Sequence, residues 1–295
     1  MSIKDKLIFC GNSSIDHIVT HRSTKDVIGG SAVNAAIAGS LFGNKEISII
    51  SSIGYDFPLD ILDKLNINTQ YIQQYENKTN SFSIDEINNK ISLINSAYTP
   101  IIIPEQLATD HLHISCRKGV PFTDAMNKIH AQSYSLDVMW SSIKDFLPEL
   151  SACLKKVDFL FCNDSEFIIM QRNGLINIDS LPQNLSIFTT DKTGVYYRKG
   201  NERKYFATIK TDDVISTVGA GDTFLGGFLS SFNGKNLNEA VYQALAMASI
   251  SVKDYGNIHL RNKSIEISKA QNTIQNMDKK DETKINIYNR PILQR

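Results

Sequence analysis

Ile215-Ser-Thr-Val-Gly-Ala-Gly-Asp-Thr-Phe-Leu-Gly-Gly-Phe-Leu229 decides how the rest of this chain is read. Phe224, Leu225, Phe228, Leu229 and Phe232 recur at helical spacing and form one apolar face. The helix they define starts near Ala220 to Asp222, so Gly219-Ala220-Gly221 places bare backbone N–H groups at its N-terminus. Those donors and the positive end of the helix dipole make an anion site. Asp222 falls in the first turn and faces whatever the amides hold. A blander reading stays open beside this one: a helix start in which Asp222 only complements the dipole and the glycines serve packing.

Two common phosphate motifs fail here. The chain has no G-x-x-x-x-G-K-[ST], and Gly219-Ala-Gly221 opens like G-x-G-x-x-G but carries Phe224 in the last position, late in the chain. A carboxylate at 222 would repel a resting pyrophosphate. It suits a general base that takes a proton from a hydroxyl while the amides stabilise charge on a phosphoryl group in transfer.

Upstream, strand-like and helix-like segments alternate. Lys6-Leu-Ile-Phe-Cys10 is a short apolar strand ending at Gly11-Asn12. Gly29-Gly30 opens an Ala-rich helix from Ser31 to Phe42, with Ser31 as N-cap candidate. Ile47–Ile53 returns to strand, and Pro58–Leu65 is a short helix. Between Thr79 and Tyr98 apolar and polar residues alternate on both sides of Asn88-Asn89, which predicts a hairpin with one wet face, projecting from the main sheet as a lid. Strands at Leu112–Ser115, Ser133–Asp137, Phe159–Cys162 and Leu185–Thr189 are spaced by helical stretches, which predicts a parallel sheet wound with helices. Val195–Arg198 and Arg203–Ile209 predict an antiparallel ribbon turned at Gly200-Asn201, followed by helices at Phe224–Phe232 and Leu237–Val252. The expected fold is α/β: a mostly parallel central sheet with helices on both faces and a small β-ribbon lid. Residues 1–295 read as one domain, with 278–295 a loosely held tail that opens on the charged stretch Asp278–Lys284.

The composition narrows the function. In 295 residues, 31 Lys+Arg balance 31 Asp+Glu, which argues against the broad basic surface of a nucleic-acid binder but not against a local anion site. No apolar run approaches the roughly 18 residues of a membrane span. Cys10, Cys116, Cys153 and Cys162 show no C-x-x-C spacing, which fits a reducing cytoplasm better than a disulfide or zinc scaffold. His111 and His113 alternate on a strand and read as structural, Arg117-Lys118 as a solvated loop and Trp140 as packing.

Taken in order, these segments resemble the ribokinase-like, or PfkB, family of carbohydrate and nucleoside kinases. Its C-terminal signature D-T-x-G-A-G-D is matched by Ser216-Thr-Val-Gly-Ala-Gly-Asp222 at every specified position but the first. The Gly-Gly and following helix are matched by Gly29-Gly30-Ser-Ala-Val-Asn34, and the first-strand pattern ending in Asp by Gly11-Asn-Ser-Ser-Ile-Asp16. Asn163-Asp-Ser-Glu166 matches N-x-x-E, Thr189-Thr-Asp-Lys-Thr-Gly194 partly matches Thr-x-Gly-x-x-Gly, and Gly54-Tyr-Asp56 matches a Gly-x-Asp turn. The matches run in the family's order from about residue 7 to about residue 260.

The resemblance implies an ATP-dependent kinase acting on a hydroxyl of a sugar or related polyol. Asp222 would be the base and Gly219, Ala220 and Gly221 the anion hole. Asp16, Gly30 and Asn34 would bind the acceptor, Asn163 and Glu166 would position Mg²⁺ through water, and Thr189 and Gly194 would lie along the ATP. Segments near 12–26 and 79–98 would form the lid, which in this family can also supply a homodimer interface. Alternatives are a nucleoside kinase, a 2-keto-3-deoxy sugar-acid kinase, or a non-catalytic sugar-binding member of the fold. A nucleoside acceptor needs an aromatic or apolar slot beside Asp16 and Asn34. Where relatives that use a monovalent cation carry Asp and a hydroxyl, this chain has Ser216 and Val218, which predicts no K⁺ requirement.

Overall fold

The computed structural model describes residues 5–41, 45–88, 90–95, 99–177 and 182–262. The expected tail at 278–295 lies outside the described residues, as do residues 89 and 96–98 of the expected hairpin. The elements run β1 (Lys6–Cys10), β2 (Ser14–Val19), β3 (Thr24–Gly29), α1 (Ser31–Ser40), β4 (Glu46–Gly54), α2 (Asp60–Lys64), β5 (Asn68–Tyr75), β6 (Ser81–Asp85) and β7 (Lys90–Asn95). They continue with β8 (Ala108–Cys116), α3 (Phe122–Lys128), β9 (His130–Val138), α4 (Trp140–Asp145), α5 (Leu147–Leu154), β10 (Phe159–Asn163) and α6 (Asp164–Arg172). The last are β11 (Ser186–Asp191), β12 (Gly194–Lys199), β13 (Glu202–Ala207), α7 (Ala220–Ser231), α8 (Leu237–Ser251) and α9 (Ile258–Asn262).

The main sheet has the order β13-β12-β11-β10-β9-β8-β1-β4-β5. From β5 to β11 every pairing is parallel, and β12 and β13 close the edge as an antiparallel ribbon. Its central strands β1, β4 and β8 are buried on both faces, so apolar side chains alternate between two cores. In β1, Leu7 and Phe9 enter the core under α1, α2, α7 and α8, whereas Ile8 and Cys10 enter the one under α3, α5 and α6.

The first core holds α7 to the sheet through stacked aromatics. Phe161 and Phe188 lie 5.1 Å apart and nearly parallel, and Phe228 sits 4.5 Å from Phe188. Gly226 lets α7 settle onto α1, because a Cβ there would stand 2.1 Å from the Ala35 carbonyl oxygen. The Ser230 hydroxyl donates to the Gly39 carbonyl across the same seam at 2.8 Å. The N-terminus of α7 is thereby fixed at the carboxyl ends of the parallel strands, where ligands bind in wound α/β sheets.

The smaller sheet joins the hairpin read between Thr79 and Tyr98 to strands at 14–19 and 24–29. It has four strands in the order β3-β2-β6-β7, two antiparallel hairpins joined by the parallel pair β2–β6. Three contacts tie it down. Asp56 Oδ1 accepts from the N–H (2.7 Å) and the hydroxyl (2.8 Å) of Thr79 just before β6. The Tyr255 hydroxyl meets Thr20 Oγ1 and Ser23 Oγ in the β2–β3 turn, at 2.9 and 2.7 Å. Glu86, at the end of β6, accepts from both the N–H and the hydroxyl of Thr217 at 2.7 Å.

Candidate active site

Gly219 caps α7 in the left-handed region, φ 77°, which explains a glycine there: a side chain would be strained and its Cβ would stand 2.8 Å from Asn34 Nδ2. Among the described residues, no acceptor takes the N–H of Gly219 or Gly221. The expectation of three bare amides needs one correction. Ala220 donates to the Thr217 carbonyl at 3.1 Å, because the turn entering the helix closes on itself, so its N–H is already used.

Asp222 opens into a cavity of about 150 Å³, shared with Arg117, Asp137, Asn163, Glu166 and Gly221. Its Oδ2 accepts from Asn34 Nδ2 at 3.3 Å and its Oδ1 from Arg117 Nη2 at 3.4 Å. Burial pushes the Asp222 carboxyl up to about 6, and the Arg117 charge opposes that rise. Such a carboxylate is ionised near neutral pH and still basic enough to accept a proton.

Asp16 and Asn34 are brought to the same end of the sheet. Asp16 is 5% exposed, and its Oδ1 is buried with no hydrogen-bond partner among the described residues. Burial raises its pKa to about 6; a hydrogen bond from Ser14 opposes this and the charge of Asp222 adds to it. An orphaned buried carboxylate oxygen is costly, and a ligand hydroxyl would relieve it. Asn34 is not the helix-surface residue its position allows: it is 4% exposed, and its Oδ1 accepts from Asn257 Nδ2 at 2.8 Å. Asn257 also donates to the Ile28 carbonyl at 2.8 Å, so the loop before α9 orients the side chain that touches Asp222. Gly30 caps α1 at φ 93°, where a Cβ would stand 2.3 Å from the Asn12 carbonyl oxygen. Gly30 thus holds the cap and Ser31 is the first helical residue, which corrects Ser31 as N-cap.

Asn163 and Glu166 form a capping box at the start of α6. Asn163 Oδ1 accepts from the Glu166 N–H and Glu166 Oε2 from the Asn163 N–H, both at 2.9 Å. Burial raises the Glu166 carboxyl to about 7, and the Asn163 N–H and the Arg117 charge offset part of it. No cluster of three or more His, Cys, Asp or Glu able to hold a metal occurs among the described residues. Two such residues are too few to cage a metal, so a Mg²⁺ held here would keep its waters.

A second cavity, about 720 Å³, adjoins the first. Thr190, Asp191, Gly194, Val195, Ile209 and Val214 line one side, and Gly221, Phe224, Leu245 and Val252 the other. Gly194 lies on its wall. Thr189 does not: it is buried beside Cys162, 6% exposed, because successive strand residues point to opposite faces. Its neighbour Thr190 lines both cavities.

Arg117 is the largest departure from the sequence reading. It is not a solvated loop residue; its side chain is 18% exposed and pairs with both Asp137 (2.5 Å) and Asp222. Asp137 also accepts from His113 Nε2 at 3.3 Å, and the Ser135 hydroxyl bridges His113 and His111 at 2.9 and 2.8 Å. Both histidines are thus structural, as read. The signal was present as polar alternation, His111-x-His113-x-Ser115 and Ser133-x-Ser135-x-Asp137, in two strands buried on both faces. Trp140 is 58% exposed, so it is not a packing residue.

The family model for pfkB family carbohydrate kinases matches residues 7–263. The chain belongs to the PfkB family. Among similar proteins are the cytidine kinase of Thermococcus kodakarensis, 23% identical over 85% of this chain and 97% of its own length, and the nucleoside kinase of Methanocaldococcus jannaschii, 26% identical over 85% and 92%. The crystal structure of the latter superposes with a TM-score of 0.72 at 22% identity, covering 91% of this chain and 99% of that one. A ribokinase from Cryptococcus neoformans in complex with ADP superposes at 0.71 and 17% identity, over 91% and 99%. The fold is ribokinase-like, and as a member of the PfkB carbohydrate kinase family this is an ATP-dependent kinase. Among the described residues no helix is long and apolar enough to cross a membrane.

Proposed function

We propose that this chain, as one kinase domain, transfers the γ-phosphoryl group of ATP to a hydroxyl of a sugar or nucleoside. The observation that carries this reading is Asp222, partly open to a cleft beside the unpaired N–H groups of Gly219 and Gly221, with the larger cavity on one side and the unpartnered Asp16 Oδ1 on the other. Asp16 and Asn34 hold hydroxyls of the acceptor. Asp222 takes the proton of the attacking hydroxyl as its oxygen bonds to the γ-phosphorus. The bond to the β-phosphate oxygen breaks, and ADP keeps that electron pair. The Gly219 and Gly221 amides stabilise charge on the phosphoryl oxygens. Mg²⁺, when bound with the nucleotide, would neutralise phosphate charge near Asn163 and Glu166. The four-stranded sheet serves as the lid that excludes water. Four free, buried cysteines agree with a reducing, cytoplasmic setting.

A specific feature favours a nucleoside among the acceptors. Phe82 is the register partner of Asp16 across β2 and β6, so the two side chains share one face, and Phe82 is only half-buried. Hydroxyls held by Asp16 would set a planar base against that ring. The decisive experiment is an ADP-release screen over pentoses, hexoses, keto-deoxy acids, inositol and nucleosides. Asp222→Asn should lower kcat by roughly 10²–10⁴ with KM little changed. The wild-type rate should fall below about pH 6, where Asp222 is protonated. Phe82→Ala should cost nucleosides roughly 10–100-fold in kcat/KM and spare free ribose. Near-normal kcat in the Asp222 variant removes the base.

A further inference from the structure

Arg117 sits between the base and the capping-box pair, and the way it is held suggests a task. Two acceptors engage its guanidinium, Asp137 Oδ2 and Asp222 Oδ1, and both bind the same nitrogen, Nη2. A guanidinium carries five N–H donors in a fixed fork. Among the described residues nothing accepts from Nε or Nη1, and neither is sealed from solvent. Arg117 lines the cavity of about 150 Å³ with Asn163, Glu166, Thr190, Gly221 and Asp222.

The two anchors differ in kind. Asp137 is 5% exposed and tied to His113, which Ser135 fixes in turn, so it is a permanent counter-ion inside the sheet. The contact with Asp222 is long, at 3.4 Å, and the partner is open to the cleft. A cation with one firm anchor, one loose one and free donors over a cavity is built to receive a further anion.

We propose that Arg117 is a further catalytic residue: anchored on Asp137, it turns its free N–H donors to the phosphoryl group in transfer, opposite the Gly219 and Gly221 amides. This rests on the phosphotransfer reading above. Arg117 neither gains nor loses a proton; its positive charge meets the charge spread over the equatorial oxygens. The groups that face Asp222 are Asp16 from β2, His113 and Arg117 from and just after β8, Asp137 from β9 and Glu166 from α6. Arg117 is the fixed positive charge among them, so its removal should also make Asp222 harder to ionise.

The test compares wild type, Arg117→Lys and Arg117→Met in affinity for Mg²⁺–ADP with and without aluminium fluoride, which mimics the phosphoryl group in flight. Wild type should bind ADP more tightly with fluoroaluminate. Arg117→Met should keep its affinity for ADP alone within about threefold and lose roughly 10²-fold or more for the fluoroaluminate complex, the scale of one oxyanion donor. Arg117→Lys should recover part of the loss. In turnover, kcat should fall with KM nearly constant, and the acid limb of the pH profile should move to higher pH. Because Met leaves the buried Asp137 without its guanidinium counter-ion, the double variant Arg117→Met/Asp137→Asn is measured beside it and should show the same loss with a restored melting temperature. Full discrimination by folded Arg117→Met, or by the double variant, overturns the assignment of Arg117 alone. A wild type that gains nothing from fluoroaluminate overturns the phosphotransfer reading itself.

Discussion

Asp16 shows what a single buried carboxylate implies. Burial raises its folded-state pKa to about 6, against roughly 3.9 for an unfolded aspartate. The stability linked to this group is therefore complete below about pH 4 and lost as pH rises through 6. Asp16→Asn should leave the unfolding free energy nearly unchanged at pH 4 and raise it at pH 8 by up to about 3 kcal/mol, while acceptor binding falls. Denaturant titration at the two pH values reads this directly, and an equal effect at both would refute it. Ser216 carries a second prediction. Its hydroxyl accepts from the Val218 N–H at 3.2 Å within the turn, and neither residue offers a carboxylate to a cation. Turnover in Na⁺, K⁺ and choline buffers should agree within about twofold; strong K⁺ stimulation would show that other ligands replace the missing pair.

At the level of elements, the site depends on how closely α7 rests on α1. A glycine inside an exposed helix is worth replacing, since alanine there gains up to about 1 kcal/mol. Gly226 should behave oppositely, because its Cβ would meet backbone, the Ala35 carbonyl oxygen, at 2.1 Å. Gly226→Ala should cost roughly 1–3 kcal/mol as the helices part. The same shift carries Asp222 away from Asn34, so kcat should fall as well. Unchanged stability and rate would mean that the seam is looser than it stands here. The second element-scale feature is Glu86, which joins the end of β6 to Thr217 and so links the smaller sheet to the turn that presents the amides.

For the whole molecule, the open face of the smaller sheet raises the question of assembly. Ile91 and Leu93 on β7 are 57% and 53% exposed, and register places them on the same face as Asp16 and Phe82, at its outer edge. We propose that a second copy of the chain covers this edge. Light scattering should then report a dimer, and Leu93→Asp should yield a folded monomer. A monomeric wild type would refute this.

Local chemistry made much of this protein legible from its residues alone. Apolar runs of buried strands, the helical stripe Phe224 to Phe232 and the glycines before Asp222 declare their conformations within a few positions, so the parallel sheet, its helices and the turn at 219–222 could all be read in advance. Three results needed the folded chain: Ala220 lost its free amide to Thr217, Thr189 turned inward while Thr190 faced the cavities, and Arg117 found its partners far along the chain. Arg117 and Asp137 stand 20 residues apart, and Arg117 and Asp222 105 apart. A lone Arg after a strand looks solvated in sequence. What buries its charge is two carboxylates from other elements, and only strand order and the α1–α7 seam bring those together.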